Sequence, residues 1–267
     1  MRQRTATVAA LALWALGAVA CAGTPPNPAD PWQGMNRPVF DFNEGADRWV
    51  LEPASEGWSF ITTDGIRDSV AKFFYNLAFP SRFVSNVGQA EGQQAIIEVA
   101  RFTINTTVGL VGFFDPATRW GLARRDEDIG QMFGRWGVEP GPYLVIPLLG
   151  PSSPRDAVGL VFDGLLSPFT WIGITTGIPT FGVPGVLNVV NARARADQQI
   201  ENARRSALDY YVFVRDAYMQ YREAAVANRG STSDYGSGAI YEAGPSDDLY
   251  ELDEPADDAG EEDPDAP

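Results

Sequence analysis

Residues 164–192 run for twenty-nine positions without a charged side chain, and this stretch constrains the fold more than any other. Its length would suffice for a membrane-crossing helix, which needs about 20 apolar residues. Pro168, Pro179 and Pro184 cut it, with Gly173, Gly177, Gly182 and Gly185 between them. Proline removes a helix hydrogen bond and clashes with the preceding turn. One continuous spanning helix is therefore excluded. Broken helices that dip into a bilayer or line a cavity fit, as does a buried helical hairpin in a water-soluble core.

Elsewhere the periodicity is helical. In residues 30–51, Met35, Val39, Phe42, Ala46 and Trp49 recur at offsets of three and four. Residues 62–77 repeat the pattern with Ile66, Val70, Phe73, Phe74 and Leu77, and Thr63 or Asp64 could cap that helix. Residues 91–108 place Ala95, Ile96, Val99 and Phe102 on one face. Residues 108–115 read as a turn between two apolar arms. Residues 134–154 carry too many prolines for a regular helix. Residues 191–228 read as one or two charged amphipathic helices. No hairpin signal and no internal repeat is apparent, so the fold class is all-α.

Charge divides the chain. Thirteen of its 35 acidic residues lie in residues 231–267, which hold no Lys or Arg. That composition predicts a disordered acidic extension over 230–267. Without it and without Arg2 and Arg4, the remainder carries about −4, nearly balanced. No basic stripe suits nucleic acid. The chain has no histidine, which removes the commonest general base and metal ligand. Its one cysteine, Cys21, rules out internal disulfides and cysteine-rich zinc sites. No nucleophile elbow, calcium loop or phosphate-binding glycine loop appears, so no enzyme, cofactor or metal is expected.

Arg2 and Arg4 precede thirteen uncharged residues, 8–20, the length of a signal-peptide core. The segment ends Ala18-Val19-Ala20-Cys21, which resembles the lipobox of bacterial lipoproteins; Ala18 departs from the usual Leu. Residues 1–20 are then a signal peptide, Cys21 the lipidation site, and residues 21–29 a tether. Ala22 in place of Asp suits export to the outer membrane.

Four motifs carry a wider resemblance: DPWQGMNRPVFDFN (residues 30–43), NLAFPSRFVSN (76–86), RFTINTTVGLVGFFDPA (101–117) and DIGQMFGRWGVEPGPYLVIPLLGPSSPRDAVG (128–159). In order and spacing they resemble the MlaA (VacJ) family of outer-membrane lipoproteins, over residues 30–229. Gln33 stands where Glu is usual, and Met35 and Ile129 where Phe is usual. The resemblance implies a ring of helices in the inner leaflet of the outer membrane, anchored by lipid on the periplasmic side. It implies a central amphipathic channel through which misplaced phospholipid passes to a periplasmic MlaC-like carrier. It implies a trimeric porin that holds the ring.

The channel or gate candidates are Phe40, Phe42 and Asn43, from a family segment near the channel, and polar or hinge positions around the 108–114 turn. The latter are Arg101, Asn105, Thr106, Thr107, Gly109, Gly112, Phe113 and Asp115. Arg101 and Asp115 read equally well as a structural ion pair or caps, and Asn105 as a helix-end cap. Gly109 and Gly112 read as hinges, or as glycines placed for positive φ. An envelope scaffold that tethers a porin complex without carrying lipid is the alternative function.

Overall fold

The computed structural model describes Asn27, residues 30–176 and residues 183–227. Cys21, the signal peptide, most of the tether, residues 177–182 and the acidic extension lie outside the described residues. Helix α1 (Gln33–Ala46) runs without a break through a π turn (Asp47–Leu51) into α2 (Glu52–Ile61). The helical segment expected over residues 30–51 therefore starts later and ends ten residues later. A π turn widens a helix by one residue. This one buries Asp47 and leaves Trp49 85% exposed.

Helix α3 (Asp64–Leu77) begins after Thr63, which occupies the capping position without a side-chain capping bond. Helices α4 (Phe79–Gly88) and α5 (Gly92–Thr107) pack together, with Phe79 stacked on Phe102 at 4.4 Å between centroids. A short α6 (Pro116–Arg119) and α7 (Ile129–Arg135) follow. Then come α8 (Pro154–Leu166), α9 (Pro168–Thr176), α10 (Val183–Arg195), α11 (Asp197–Ser206) and α12 (Tyr210–Val226). The class is all-α, and the charge-free stretch is shared among α8, α9 and α10. No single described helix is long and apolar enough to cross a membrane. Helices α8 and α9 would pass that test only as a pair, and they bend by 56° at Ser167.

The structure corrects one expectation. Residues 144–152 form an antiparallel hairpin, β1 (Leu144–Ile146) against β2 (Gly150–Ser152), with Val145 opposite Pro151. An isolated two-stranded ribbon is marginal alone. Here α1 supplies a substitute third strand. The Asn36 amide donates to Tyr143 O at 2.8 Å and its oxygen accepts from Val145 N–H at 3.0 Å. Two turns on, Asn43 donates to Ile146 O at 3.0 Å and accepts from Leu148 N–H at 2.7 Å. These partners are over a hundred residues away in sequence, which is why no local pattern shows the hairpin.

The apolar core is small: Phe40, Tyr143, Val145 and Tyr211, where α1, the hairpin and α12 meet. Most of the interior is charged or polar. Arg193 is fully buried; its Nε donates to both Asp47 oxygens at 3.0 and 3.1 Å, and Arg204 reaches the same carboxylate at 2.6 Å. Asn191 accepts from the Trp58 indole and donates to Arg67 O, both at 2.9 Å, which ties α10 to α2 and α3. Large apolar side chains instead face outward, among them Phe60, Ile61, Leu110, Val161 and Trp171.

Helices α7 and α8 approach closely at two glycines. A Cβ on Gly159 would stand 2.4 Å from Gly130 N and 2.7 Å from its Cα. Gly159→Ala is expected to destabilise the protein by about 1–3 kcal/mol, the usual cost of overpacking. Thermal unfolding in detergent should show a drop of several degrees; an unchanged Tm would mean that the helices separate without cost.

Candidate functional site

A cavity of about 500 Å3 lies among α3, α4, the N-terminal end of α7, the hairpin, α8, the start of α9, α10 and α12. That volume falls within the range of roughly 300–1,000 Å3 usual for small-molecule sites. Its lining is mixed. Phe74, Leu77, Ile146, Leu149, Leu160, Leu166 and Phe169 are apolar; Ser81, Arg82, Asp126, Glu127, Asp128, Gln131, Asp156, Asp163 and Arg222 are polar or charged. Asp156 and Asp163, seven residues apart on α8, share one face. Tyr218, Tyr221 and Arg222 do the same on α12.

The polar lining is built on paired charges. Arg222 reaches Asp128 at 2.5 and 3.1 Å and Asp156 at 3.0 and 2.7 Å. Asp128 also caps α7 by accepting from Gln131 N–H at 2.8 Å. Tyr218 and Arg155 donate to Asp156 as well. Burial alone would raise the Asp156 and Asp128 carboxyls. The Arg222 guanidinium and these donors outweigh it and hold both below the usual carboxylate range. Arg82 donates to Glu98 at 3.0 Å and to Tyr75 O at 2.7 Å, and stacks on the Tyr75 ring at 3.5 Å. Two other carboxyls shift the opposite way. Burial lifts Glu127 to about 7, against the Gln89 amide that hydrogen-bonds it. Burial and the Asp128 charge lift Asp163 to about 6.

The sequence candidates fall outside this lining, in two groups that brace it. Phe40 lies in the core, edge-on to Tyr210 and Tyr211; Phe42 is exposed. Asn43 holds the hairpin whose Ile146 and Leu149 line the cavity. The second group interlocks beneath the 108–114 turn. Arg101 donates to Asp115 at 2.8 Å and to the Thr118 hydroxyl at 2.9 Å, and also bonds Leu122 O. Asn105 donates to Asp115 at 2.9 Å and accepts from Ala117 N–H at 3.1 Å. Asp115 caps α6 through Thr118 N–H. Thr106 accepts from Asn76 at 2.9 Å, and exposed Thr107 bonds back to Thr103 O on its own helix.

In the turn itself Gly112 has φ +97°, with Asn76 packed where a Cβ would stand, and Gly109 is crowded by backbone oxygens. Phe113 stacks on Phe73 at 4.8 Å. With Leu110, Phe114 and Ile66, Phe113 lines a smaller apolar groove of about 330 Å3. Of the lining residues not evident from the sequence, Asp163 carried one signal: a lone charge in the apolar run GLVFDGLL, a whole number of helical turns from Asp156.

A charged interior around a mixed cavity, under an exterior with many large apolar side chains, is the pattern of a helical protein built to meet a nonaqueous surface. The model of the MlaA lipoprotein family matches residues 28–225, and the chain belongs to that family. It is 34% identical over 198 residues to the intermembrane phospholipid transport system lipoprotein MlaA of Haemophilus influenzae, covering 72% of this chain and 76% of that one. To its namesake in Escherichia coli K12 it is 29% identical over 233 residues, covering 84% and 89%. A chain solved as the structural basis for maintenance of bacterial outer membrane lipid asymmetry superposes with a TM-score of 0.63. That chain is 29% identical, and the match covers 74% of this chain and 98% of that one.

Two outcomes check the site. Arg222→Met leaves two carboxylates buried without their cation and should cost about 3–5 kcal/mol. Folded Glu127 keeps its proton up to about pH 7, whereas the unfolded side chain releases it near about 4.3. Folding therefore loses stability as pH rises through that window. Glu127→Gln should raise Tm at about pH 8 and leave it unchanged at about pH 4; equal effects at both would remove the titration argument.

Proposed function

We propose that this protein is an outer-membrane lipoprotein that carries phospholipid through its central cavity and so maintains lipid asymmetry. The amphipathic lining carries the reading. A headgroup crossing hydrocarbon loses its hydration, which costs several kcal/mol per unpaired polar group and more for a charge. A channel edged with ion-paired and hydrogen-bonding side chains removes most of that cost, while the apolar side chains on the same lining accept the acyl chains. Membership of the family and the names of the relatives from Haemophilus influenzae and Escherichia coli support it.

In this reading Cys21 is acylated and holds the protein on the periplasmic side, because more than one acyl chain makes anchoring lasting. Phospholipid misplaced in the outer leaflet enters the cavity and leaves toward a periplasmic MlaC-like carrier. A trimeric porin holds the helices in place, against the apolar exterior. The Arg101–Asn105–Asp115 lock, with Thr106, Thr107, Gly109, Gly112 and Phe113, supports the 108–114 turn at the channel's edge; Phe40 and Asn43 support the hairpin, and Phe42 faces outward toward lipid. The protein performs no chemistry on the lipid.

Deleting the gene in its host should raise phospholipid in the outer leaflet, read with a surface-active phospholipase. Full-length protein and a version lacking residues 230–267 should restore the low level, and Cys21→Ala should not. Unchanged surface phospholipid after deletion would leave the scaffold role in place of transport.

A further inference from the structure

We propose that the cavity selects phospholipids whose headgroup carries a primary ammonium, as in phosphatidylethanolamine, and that Asp163 receives that ammonium. This deepens the reading of the cavity as a lipid passage and rests on it. The two cations of the lining are already committed. Arg222 is paired with Asp128 and Asp156, and Arg82 with Glu98, although Arg82 Nη2 keeps its donors free. An anionic headgroup entering the cavity meets no cation without a carboxylate partner among the described lining residues.

Asp163 is in the opposite position. It lines the cavity half-buried, and both of its protein hydrogen bonds, from the Ser81 hydroxyl and from Ile129 N–H at 3.2 Å, end on Oδ1. Oδ2 accepts no hydrogen bond from the described protein, and no described Arg or Lys lies within ion-pairing distance of the carboxylate. A primary ammonium brings three donors and a positive charge. A charge-assisted bond to Oδ2 would satisfy the vacant acceptor, and such bonds strengthen where water is scarce. The charged and titratable groups that share its lining are Tyr75 on α3, Arg82 on α4, Asp126, Glu127 and Asp128 ahead of α7, Asp156 on its own helix, and Tyr218, Tyr221 and Arg222 on α12. Of these, Asp128 repels the Asp163 charge, and with burial it raises that carboxyl to about 6. An arriving cation offsets both effects. A carboxylate that served only to fasten α8 to α4 and α7 would need Oδ1 alone.

The test uses the full-length lipoprotein in detergent, incubated with vesicles of equal phosphatidylethanolamine, phosphatidylglycerol and phosphatidylcholine. Bound lipid is then extracted and weighed by mass spectrometry. Wild type should enrich phosphatidylethanolamine about fivefold, the effect of one modest interaction. Asp163→Asn should bring the ratio to that of the vesicles, and Asp68→Asn, in the peripheral pair with Arg195, should keep the enrichment. Enrichment that survives in Asp163→Asn overturns the proposal. So does an unbiased wild type, or phosphatidylcholine, which has no N–H donor, binding as well as phosphatidylethanolamine. If Asp163→Asn does not fold, pH profiles of the wild type and of Glu127→Gln, which removes the other carboxyl titrating in this range, decide. In both, the enrichment should vanish between about pH 8 and about pH 5 as Asp163 is protonated, and a flat profile in either overturns the proposal. Binding of none of the three lipids would instead overturn the lipid passage itself.

Discussion

A buried guanidinium must have its anions, and this fold is organised around meeting that demand. Arg222 brings α12, the start of α7 and the start of α8 to one point, because Asp128 and Asp156 approach it together. Arg193 and Arg204 do the same for the π turn, α10 and α11 around Asp47. Arg82 and Glu98 join α4 to α5. Taking one partner away from such a pair leaves a charge that nothing solvates. Each network therefore fixes a register between helices that the small apolar core could not fix. The planar fork of arginine presents its donors in a fixed geometry, which suits a site where two carboxylates converge, as at Arg222.

The same arrangement inverts the usual meaning of amphipathic spacing. The helical runs around Val39, Val70 and Val99 were legible as helices, since periodicity reports that a face exists. It does not report which way the face points. In a water-soluble core the apolar stripe turns inward. Here much of it turns outward, as at Ile66, Ile96 and Val99, while Glu98, Arg101 and Asn105 on the same α5 are buried. Candidates drawn from polar residues next to an apolar turn thus landed on the brace that holds the turn, while Asp156, Asp163 and Arg222 reached the cavity. Helices α4, α7 and α8 also escaped the pattern. Helices α4 and α7 are short and rich in Gly and polar residues, α8 carries two internal glycines, and tertiary ion pairs and close glycine contacts stabilise them more than propensity does.

Asn36 and Asn43 show why motifs can be read before their purpose is known. Their spacing of seven puts both on one helix face, which the sequence displays plainly. Their task is to complete the hydrogen bonding of a hairpin, and that depends on strands over a hundred positions later.

The turn after α5 holds Leu110 at φ 52°, Val111 at φ 61° and Gly112 at φ 97° in succession. For a leucine and a β-branched valine this conformation is uphill, by about 1–3 kcal/mol each. The bonds from Val111 N–H to Thr106 O, from Gly112 N–H to Asn105 O and from Phe114 N–H to Gly109 O, each 2.8–2.9 Å, hold it against that cost. The turn therefore depends on the last turn of α5: a change that displaces the Asn105 and Thr106 carbonyls removes the bonds that offset its backbone cost.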